Sequence, residues 1–296
     1  MDNPWLHRYS VLVAVFTLFL VVAGASVTSN DAGLSVPDWP LSYGKLMPEM
    51  TGGIFYEHGH RMVATTVGML TIGLAVWLWR VERRAWLRRL GLAALVAVIV
   101  QGVLGGLTVI FLLPRPVSIT HACLAQLFFA TTVAIALFTS PAWKRSWEPV
   151  EDAALLRPLA LAMPVAVLAQ IALGAAYRHK ALGLVPHVVG ATLVTAVVMY
   201  VCLVILTRFA AERVLRTAAL VLLSITLVQV FAGIAAYMSR ISTVDAPQPM
   251  RIMVAFTVLH VAAGALTMAA SVVMAIQVHR HVRGSHTPGV WRAVRA

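Results

Sequence analysis

Eight apolar runs of about membrane-spanning length decide most of what this chain can fold into. Of its 296 residues, 60% are hydrophobic and only 11% are charged, and the mean hydropathy is +0.86. A run of about 20 apolar residues crosses the hydrocarbon layer as a helix, because a helix pairs its own backbone N–H and C=O groups where no water can. Such runs fall at roughly 9–28, 56–79, 90–113, 117–139, 156–177, 183–207, 214–238 and 253–278. They are continuous and do not alternate with period two, which excludes a barrel. The expected fold is an all-α, polytopic membrane protein with eight transmembrane helices and no soluble domain.

The net charge of +12 resembles a nucleic-acid signature until it is placed along the chain. With the N-terminus inside, the cytoplasmic segments hold Arg8, Arg80, Arg83, Arg84, Arg88, Arg89, Lys144, Arg145, Arg157, Arg208, Arg213, Arg216, Arg280, Arg283, Arg292 and Arg295. Seven of the 23 Lys and Arg remain for the outer side. That bias puts both termini in the cytoplasm; the charge is topological, with anionic lipid as an added partner, and no nucleic acid is implied. The first run is preceded only by Met1 to Arg8 and is too long for a signal-peptide core, so it is expected to stay as a helix. No Arg- and Ser-rich transit segment precedes it, which makes a bacterial or archaeal plasma membrane the simplest location. Cys123 and Cys202 lie inside apolar runs and read as packing residues rather than as a disulfide or metal pair.

The chain also repeats itself. His60-Arg-Met-Val-Ala-Thr-Thr-Val resembles His187-Val-Val-Gly-Ala-Thr-Leu-Val, and Thr120-His121-Ala-Cys-Leu-Ala resembles Leu259-His260-Val-Ala-Ala-Gly. Gln-x-x-x-Gly recurs at Gln101/Gly105, Gln170/Gly174 and Gln229/Gly233, while the first helix has Leu20 and Gly24 there. Four helices per half make a parallel repeat with its axis along the membrane normal. The expected division is 1–143 and 144–296. The Gln and Gly residues fit ordinary helix packing, and the glycines would also leave room for a flat macrocycle.

His60, His121, His187 and His260 therefore begin the second, fourth, sixth and eighth runs, at one depth toward the outer face. Ionisable groups within a membrane are costly and usually functional. Two facing imidazole pairs at equal depth suit bis-histidine haem ligation; a catalytic zinc generally needs three ligands in one cluster. Glu57, three residues before His60, shares its helical face, whereas the second half has Leu184 there. A carboxyl in such a pocket can be tuned for proton transfer, or it can simply pair with Arg61. The asymmetry points to a reacting site in the first half and an electron-transfer haem in the second. Arg61 and Arg178 are candidates for haem propionates, with snorkelling as the alternative. His58 should face away from His60, and His7, His179, His279, His281 and His286 read as solvated. The long first outer loop, about 28–55, carries Trp39 and Tyr43 as interface aromatics or as a lid.

These residues resemble the haem A synthase family. The resemblance rests on the two four-helix halves, Gly33-Leu-Ser-Val-Pro-Asp38-Trp39-Pro40-Leu, Glu57-His-Gly-His60-Arg61, Gly105-Gly-Leu-Thr and the three later histidines. It implies an oxidoreductase acting on a CH group, converting a ring methyl of haem O to a formyl group to give haem A for terminal oxidases. It also implies a b-type haem on His187 and His260, a substrate-haem pocket framed by His60 and His121, and Glu57 as the catalytic acid. Haem O synthase is the implied supplier and terminal oxidase assembly the implied destination, with the electron acceptor open and a homo-oligomer allowed. Some bacterial members carry a cysteine pair in the first outer loop; this chain has Ser35 and Ser42 and no cysteine there. Two rival readings remain: a dihaem b-type electron-transfer cytochrome without substrate chemistry, and a transporter built on the parallel repeat. The first would usually stack both haems between one helix pair. The second would favour helices broken at mid-membrane.

Overall fold

A computed structural model describes residues 3–144, 150 and 155–283 of the chain. It contains α1 (Pro4–Ser29), α2 (Gly52–Val81), α3 (Ala85–Ile110), α4 (Arg115–Thr139), α5 (Leu156–Arg178), α6 (Leu184–Arg208), α7 (Arg213–Ser242) and α8 (Arg251–His281), with a short 3₁₀ turn at Pro141–Lys144. All eight helices are long and apolar enough to cross a membrane. Among the described residues there is no β-strand, only two isolated bridges. Arg145, His286, Arg292 and Arg295 lie outside the described residues, as does most of the chain just past the expected division at 143/144.

Local chemistry sets the helix ends where hydropathy alone is silent. Asn3 caps α1, its side chain accepting from Leu6 N–H at 3.1 Å, and Pro4 opens the first turn. Helix α3 stops at Ile110, earlier than the apolar run does. Leu112 and Leu113 take left-handed backbone angles, φ 55° and 61°, and turn the chain into Pro114. Apolarity cannot distinguish such a turn from a further helical residue. Helix α5 runs unbroken through Pro158 and Pro164, although Pro164 removes one N–H from the ladder. Its packing against α4, α6 and α8 outweighs that loss.

The helices form two rings. In the first, α1 touches α2 and α4, and α3 touches α2 and α4; in the second, α5 touches α6 and α8, and α7 touches α6 and α8. Each ring has its own core. Leu6, Val13, Leu20, Val67, Leu74, Leu78, Leu87, Phe128 and Ile135 fill the first. Leu156, Met163, Val198, Val201, Ile205, Leu215, Leu222 and Met274 are in the second. The rings join through α1–α8, α4–α8 and α4–α5 contacts, where Val21, Phe129, Ala265 and Ala269 pack together. Lipid is as apolar as leucine, so close approach at small residues, rather than water exclusion, holds this seam.

Candidate functional site

The site is built from one unit used four times. In each consecutive hairpin, a glycine near the end of the odd helix backs a histidine within the first three turns of the even one. A methyl group built on Gly24 would lie 3.0 Å from His60 Cε1, on Gly105 3.4 Å from His121 Cε1, on Gly174 2.9 Å from His187 Cε1, and on Gly233 2.7 Å from His260 Cε1. The glycines thus make room for imidazoles directly. Their spacing was legible in the sequence, but their partner was not.

The glutamine one turn before each of the last three glycines reaches across the same hairpin. Gln101 Nε2 donates to the His121 carbonyl at 2.9 Å. Gln170 Nε2 donates to the His187 carbonyl at 2.8 Å and lies 2.9 Å from His187 Nδ1. In the fourth hairpin, His260 Nδ1–H donates to the Gln229 carbonyl at 3.0 Å. That bond leaves His260 Nε2 as the nitrogen free to accept or ligate.

His187 and His260 face each other with ring centres 6.1 Å apart and planes at 88°. Two imidazoles with nitrogens about 2.0 Å from one shared metal ion would have ring centres roughly 6 Å apart. A haem iron would fit between them, and the bond from His260 Nδ1–H to the Gln229 carbonyl is the orienting contact that metal-bound histidines usually make. In the first ring, His60 and His121 lie close enough for their charges to interact. Their Nδ1 atoms are buried without a hydrogen-bond partner, as are Gln101, Gln170 and Gln229 Oε1. Buried orphans of this kind call for a further group. Among the described residues, no three His, Cys, Asp or Glu converge as a metal cluster would require.

Glu57 is only 4% exposed and both its oxygens are engaged. Oε2 accepts from Val36 N–H at 2.8 Å, and Oε1 from Arg61 at 2.6 Å. Arg61 also donates to the carbonyls of Asp38 and Leu41, each at 2.8 Å. These contacts fasten the loop between α1 and α2 onto α2. Asp38 closes the loop further, accepting from Tyr43 N–H at 2.6 Å and Gly44 N–H at 2.8 Å. Its carboxyl is held below the usual range, first by the Gly44 bond. Trp39 lies on Gly106, next to the glycine that backs His121; a methyl there would be 2.7 Å from the indole. The loop therefore covers the first ring, and Tyr43 is tied back to the Ser35 carbonyl at 2.7 Å.

The structure revises several side-chain readings. His58 is buried and pairs with Ser42 Oγ at 2.8 Å, a contact between loop and helix that no sequence spacing announces. His281 is buried, its Nδ1 donating to the Gln277 carbonyl at 2.9 Å. His7 is half-buried and donates to Ala136 O at 3.0 Å, joining α1 to α4. Their helix ends fold back onto neighbouring helices, so these two are not the solvated residues that their place near the termini implied. His179 is also half-buried, and burial, then the Arg178 charge, pushes its pKa down. His279 is exposed and accepts from Arg157 at 2.7 Å. Arg178 donates to the Thr28 carbonyl at 2.7 Å, satisfying one of the carbonyls left open at the end of α1.

Comparison with known proteins places this geometry. Residues 49–188 match the profile of the COX15-CtaA cytochrome oxidase assembly proteins. The segment carries Glu57, His60, Arg61, His121 and His187, and ends before His260. A protein of Symbiobacterium thermophilum named "Heme A synthase" is 33% identical over 54% of this chain and 51% of its own. One from Shouchella clausii is 32% identical over 43% of this chain and 44% of its own, and one from Bacillus licheniformis 28% identical over 46% and 45%; both bear the same name. The chain thus spans about half the length of the curated relatives it matches.

Proposed function

We propose that this chain is a haem A synthase, oxidising a ring methyl of haem O to the formyl group of haem A. The carrying observation is the pair of unequal sites built on one repeated unit. Both rings present two glycine-backed histidines, but only the first adds Glu57, Arg61 and a covering loop. The name shared by the relatives supports the same reading.

In this reading, His187 and His260 hold a resident haem b, with the Gln229 carbonyl orienting the His260 ring and Gln170 tying the His187 backbone to α5. When bound, that haem supplies one-electron transfer. His60 and His121 frame the substrate haem beneath the loop. Trp39, on Gly106, limits water at that pocket, and Arg61 fixes the loop's position through the carbonyls of Asp38 and Leu41. Glu57 lies one turn before His60 on the same helix and, in this reading, its carboxylate is the proton acceptor of the first pocket. Taking up protons released as the methyl is oxidised would loosen its hold on Val36 N–H and Arg61. Arg178, the last residue of α5, would meet a propionate of the second site.

The orientation that follows has both termini in the cytoplasm and both pockets toward the outer face of a plasma membrane. Haem O synthase would supply the substrate, and terminal oxidase assembly would receive the product. The test is to co-express the chain with a haem O supplier and analyse the extracted pigments. Haem A should appear, and should be lost in Glu57→Ala and in His60→Ala. A resident b-haem spectrum that survives intact in His187→Ala would overturn the assignment of the halves. Two tightly held b haems with no haem A would overturn the activity.

A further inference from the structure

At the end of the bundle away from the histidines, α2 and α3 are joined by Glu82, Arg83 and Arg84 alone. Arg80, Arg83, Arg84, Arg88 and Arg89 crowd into residues 80–89. Glu82, the one acid in that stretch, is engaged by Arg84, which donates to Oε2 at 2.8 Å and to Oε1 at 3.0 Å. Among the described residues, Arg80, Arg83, Arg88 and Arg89 form no ion pair. Two of these arginines stand at the end of an apolar groove. Gly91 draws the inner side of the hairpin together, since a methyl there would lie 2.7 Å from Leu78 Cδ1. On the exposed side, Ala75 and Val76 of α2 and Leu92 and Leu95 of α3 wall a groove that ends at Trp79, Arg80 and Arg88. Arg88 lies over the Trp79 ring, 5.4 Å from its centroid, which holds that guanidinium at the mouth. From Arg88 to Leu95 the groove follows α3 for about 10 Å.

The geometry points to a seat for one anionic phospholipid, with its phosphate at Arg80 and Arg88 and the upper part of an acyl chain in the groove. The occupant must be apolar for about 10 Å and negative at one end. All eight helices are long and apolar enough to cross a membrane, so lipid chains are the medium of this surface and the headgroup is what the arginines select. A choline or ethanolamine headgroup would bring an ammonium beside guanidiniums that no carboxylate offsets, whereas a phosphatidylglycerol headgroup carries only the negative charge. Basic pockets between membrane helices take anionic headgroups for this reason. A free phosphate would satisfy the arginines but leave the groove unfilled. This site is independent of the proposed function, which stands whether or not the lipid binds.

The full chain, purified in detergent, is titrated with phosphatidylglycerol or with phosphatidylcholine bearing the same chains, and retained lipid is read by native mass spectrometry. One phosphatidylglycerol should be retained in clear preference to phosphatidylcholine. Arg80→Gln and Arg88→Gln should each weaken its retention about 5-fold, and together about 25-fold. Arg83→Gln removes the same charge from the same end of the bundle without touching the groove, and should leave retention nearly unchanged. Ala75→Phe fills the groove with every arginine in place and should expel the lipid, which a merely basic surface would not do. Glycerol 3-phosphate has the headgroup's phosphate and no chain; it should fail to displace the lipid at equal concentration, and it decides in place of Ala75→Phe if that variant does not fold. Equal retention of the two lipids overturns the site, as do equal losses in Arg83→Gln and Arg88→Gln. Full retention in folded Ala75→Phe, or displacement by glycerol 3-phosphate, overturns the role of the groove.

Discussion

Gly233→Ala puts the four-hairpin unit to its hardest test. The added Cβ would lie 2.7 Å from His260 Cε1 and 3.0 Å from its Nδ1. Comfortable carbon–carbon contact begins near 3.5 Å, so the ring must retreat from α7 by roughly 0.8 Å. Its Nδ1–H now donates to Gln229 O, on that same helix, at 3.0 Å. The retreat stretches the bond to nearly 4 Å, where it no longer counts as one. A neutral hydrogen bond is worth about 0.5–1.5 kcal/mol, and losing the orienting partner of a metal-bound histidine typically costs 10–100-fold in affinity. Haem b titrated into the purified apoprotein, and followed by reduced-minus-oxidised difference spectra, should therefore bind the second pocket at least about 10-fold more weakly. The backbone is not the cause, because alanine is favoured over glycine within a helix by about 1 kcal/mol. Gly105→Ala is the internal control. Its Cβ would meet His121 Cε1 at 3.4 Å, an ordinary contact, so haem uptake by the first pocket should be nearly unchanged. Wild-type affinity and spectrum in Gly233→Ala would refute the reasoning, as would equal losses in the two variants.

Three further outcomes follow from the covering loop. Arg61→Lys keeps the charge but cannot reproduce a guanidinium that serves Glu57 and two carbonyls at once; limited proteolysis between residues 37 and 51 should speed up several-fold. Ser42→Ala leaves the buried His58 with neither ring nitrogen paired, which should cost about 1–3 kcal/mol and lower the thermal midpoint, whereas substitution of the exposed Lys45 should not. Asp38 has a folded-state pKa below its ordinary 3.8, chiefly through Gly44 N–H. Its contribution is therefore fully present above pH 3.8 and is lost as pH falls through the lowered folded value. Hydrogen exchange at the Tyr43 and Gly44 amides, corrected for intrinsic rate, should accelerate over that acid range in the wild type but be insensitive to it in Asp38→Asn.

The eight spans and the four histidines were legible because both obey one-dimensional rules. A membrane helix must be apolar for about 20 residues, and a ligand recurring at the same place in equivalent helices leaves a visible period. Gln101 and Gln170 were legible as recurrent residues, though as generic interhelical contacts rather than as side chains bonded to the carbonyl of a particular histidine. What the sequence concealed depends on chain reversal. The Ser42–His58 pair joins a loop to a helix through the turn held by Asp38, and the backing of His60 by Gly24 crosses the interface between α1 and α2. The surface reading of His7 and His281 failed for a related reason. Nearness to a chain end says little about burial when a helix end packs against another helix.

The equivalence of the two halves is also less complete than the contact pattern of the rings implies. Set side by side, the second, third and fourth hairpins share a glutamine one turn before the glycine and short to moderate connections, while the first stands apart on every count. It alone has Leu20 for the glutamine, a glutamate one turn before the histidine, and a loop of more than 20 residues linking its helices. Arg61 ties two of these differences together, bonding both Glu57 and the loop. A neutral drift would scatter its changes over eight helices, most of them on lipid-facing surfaces where packing scarcely constrains them. Concentration of the changes around one imidazole instead marks a site with a task the other three do not share. Under the proposed function that task is to admit and release a macrocycle, and Glu57, Arg61 and the loop they hold all gather on the first ring.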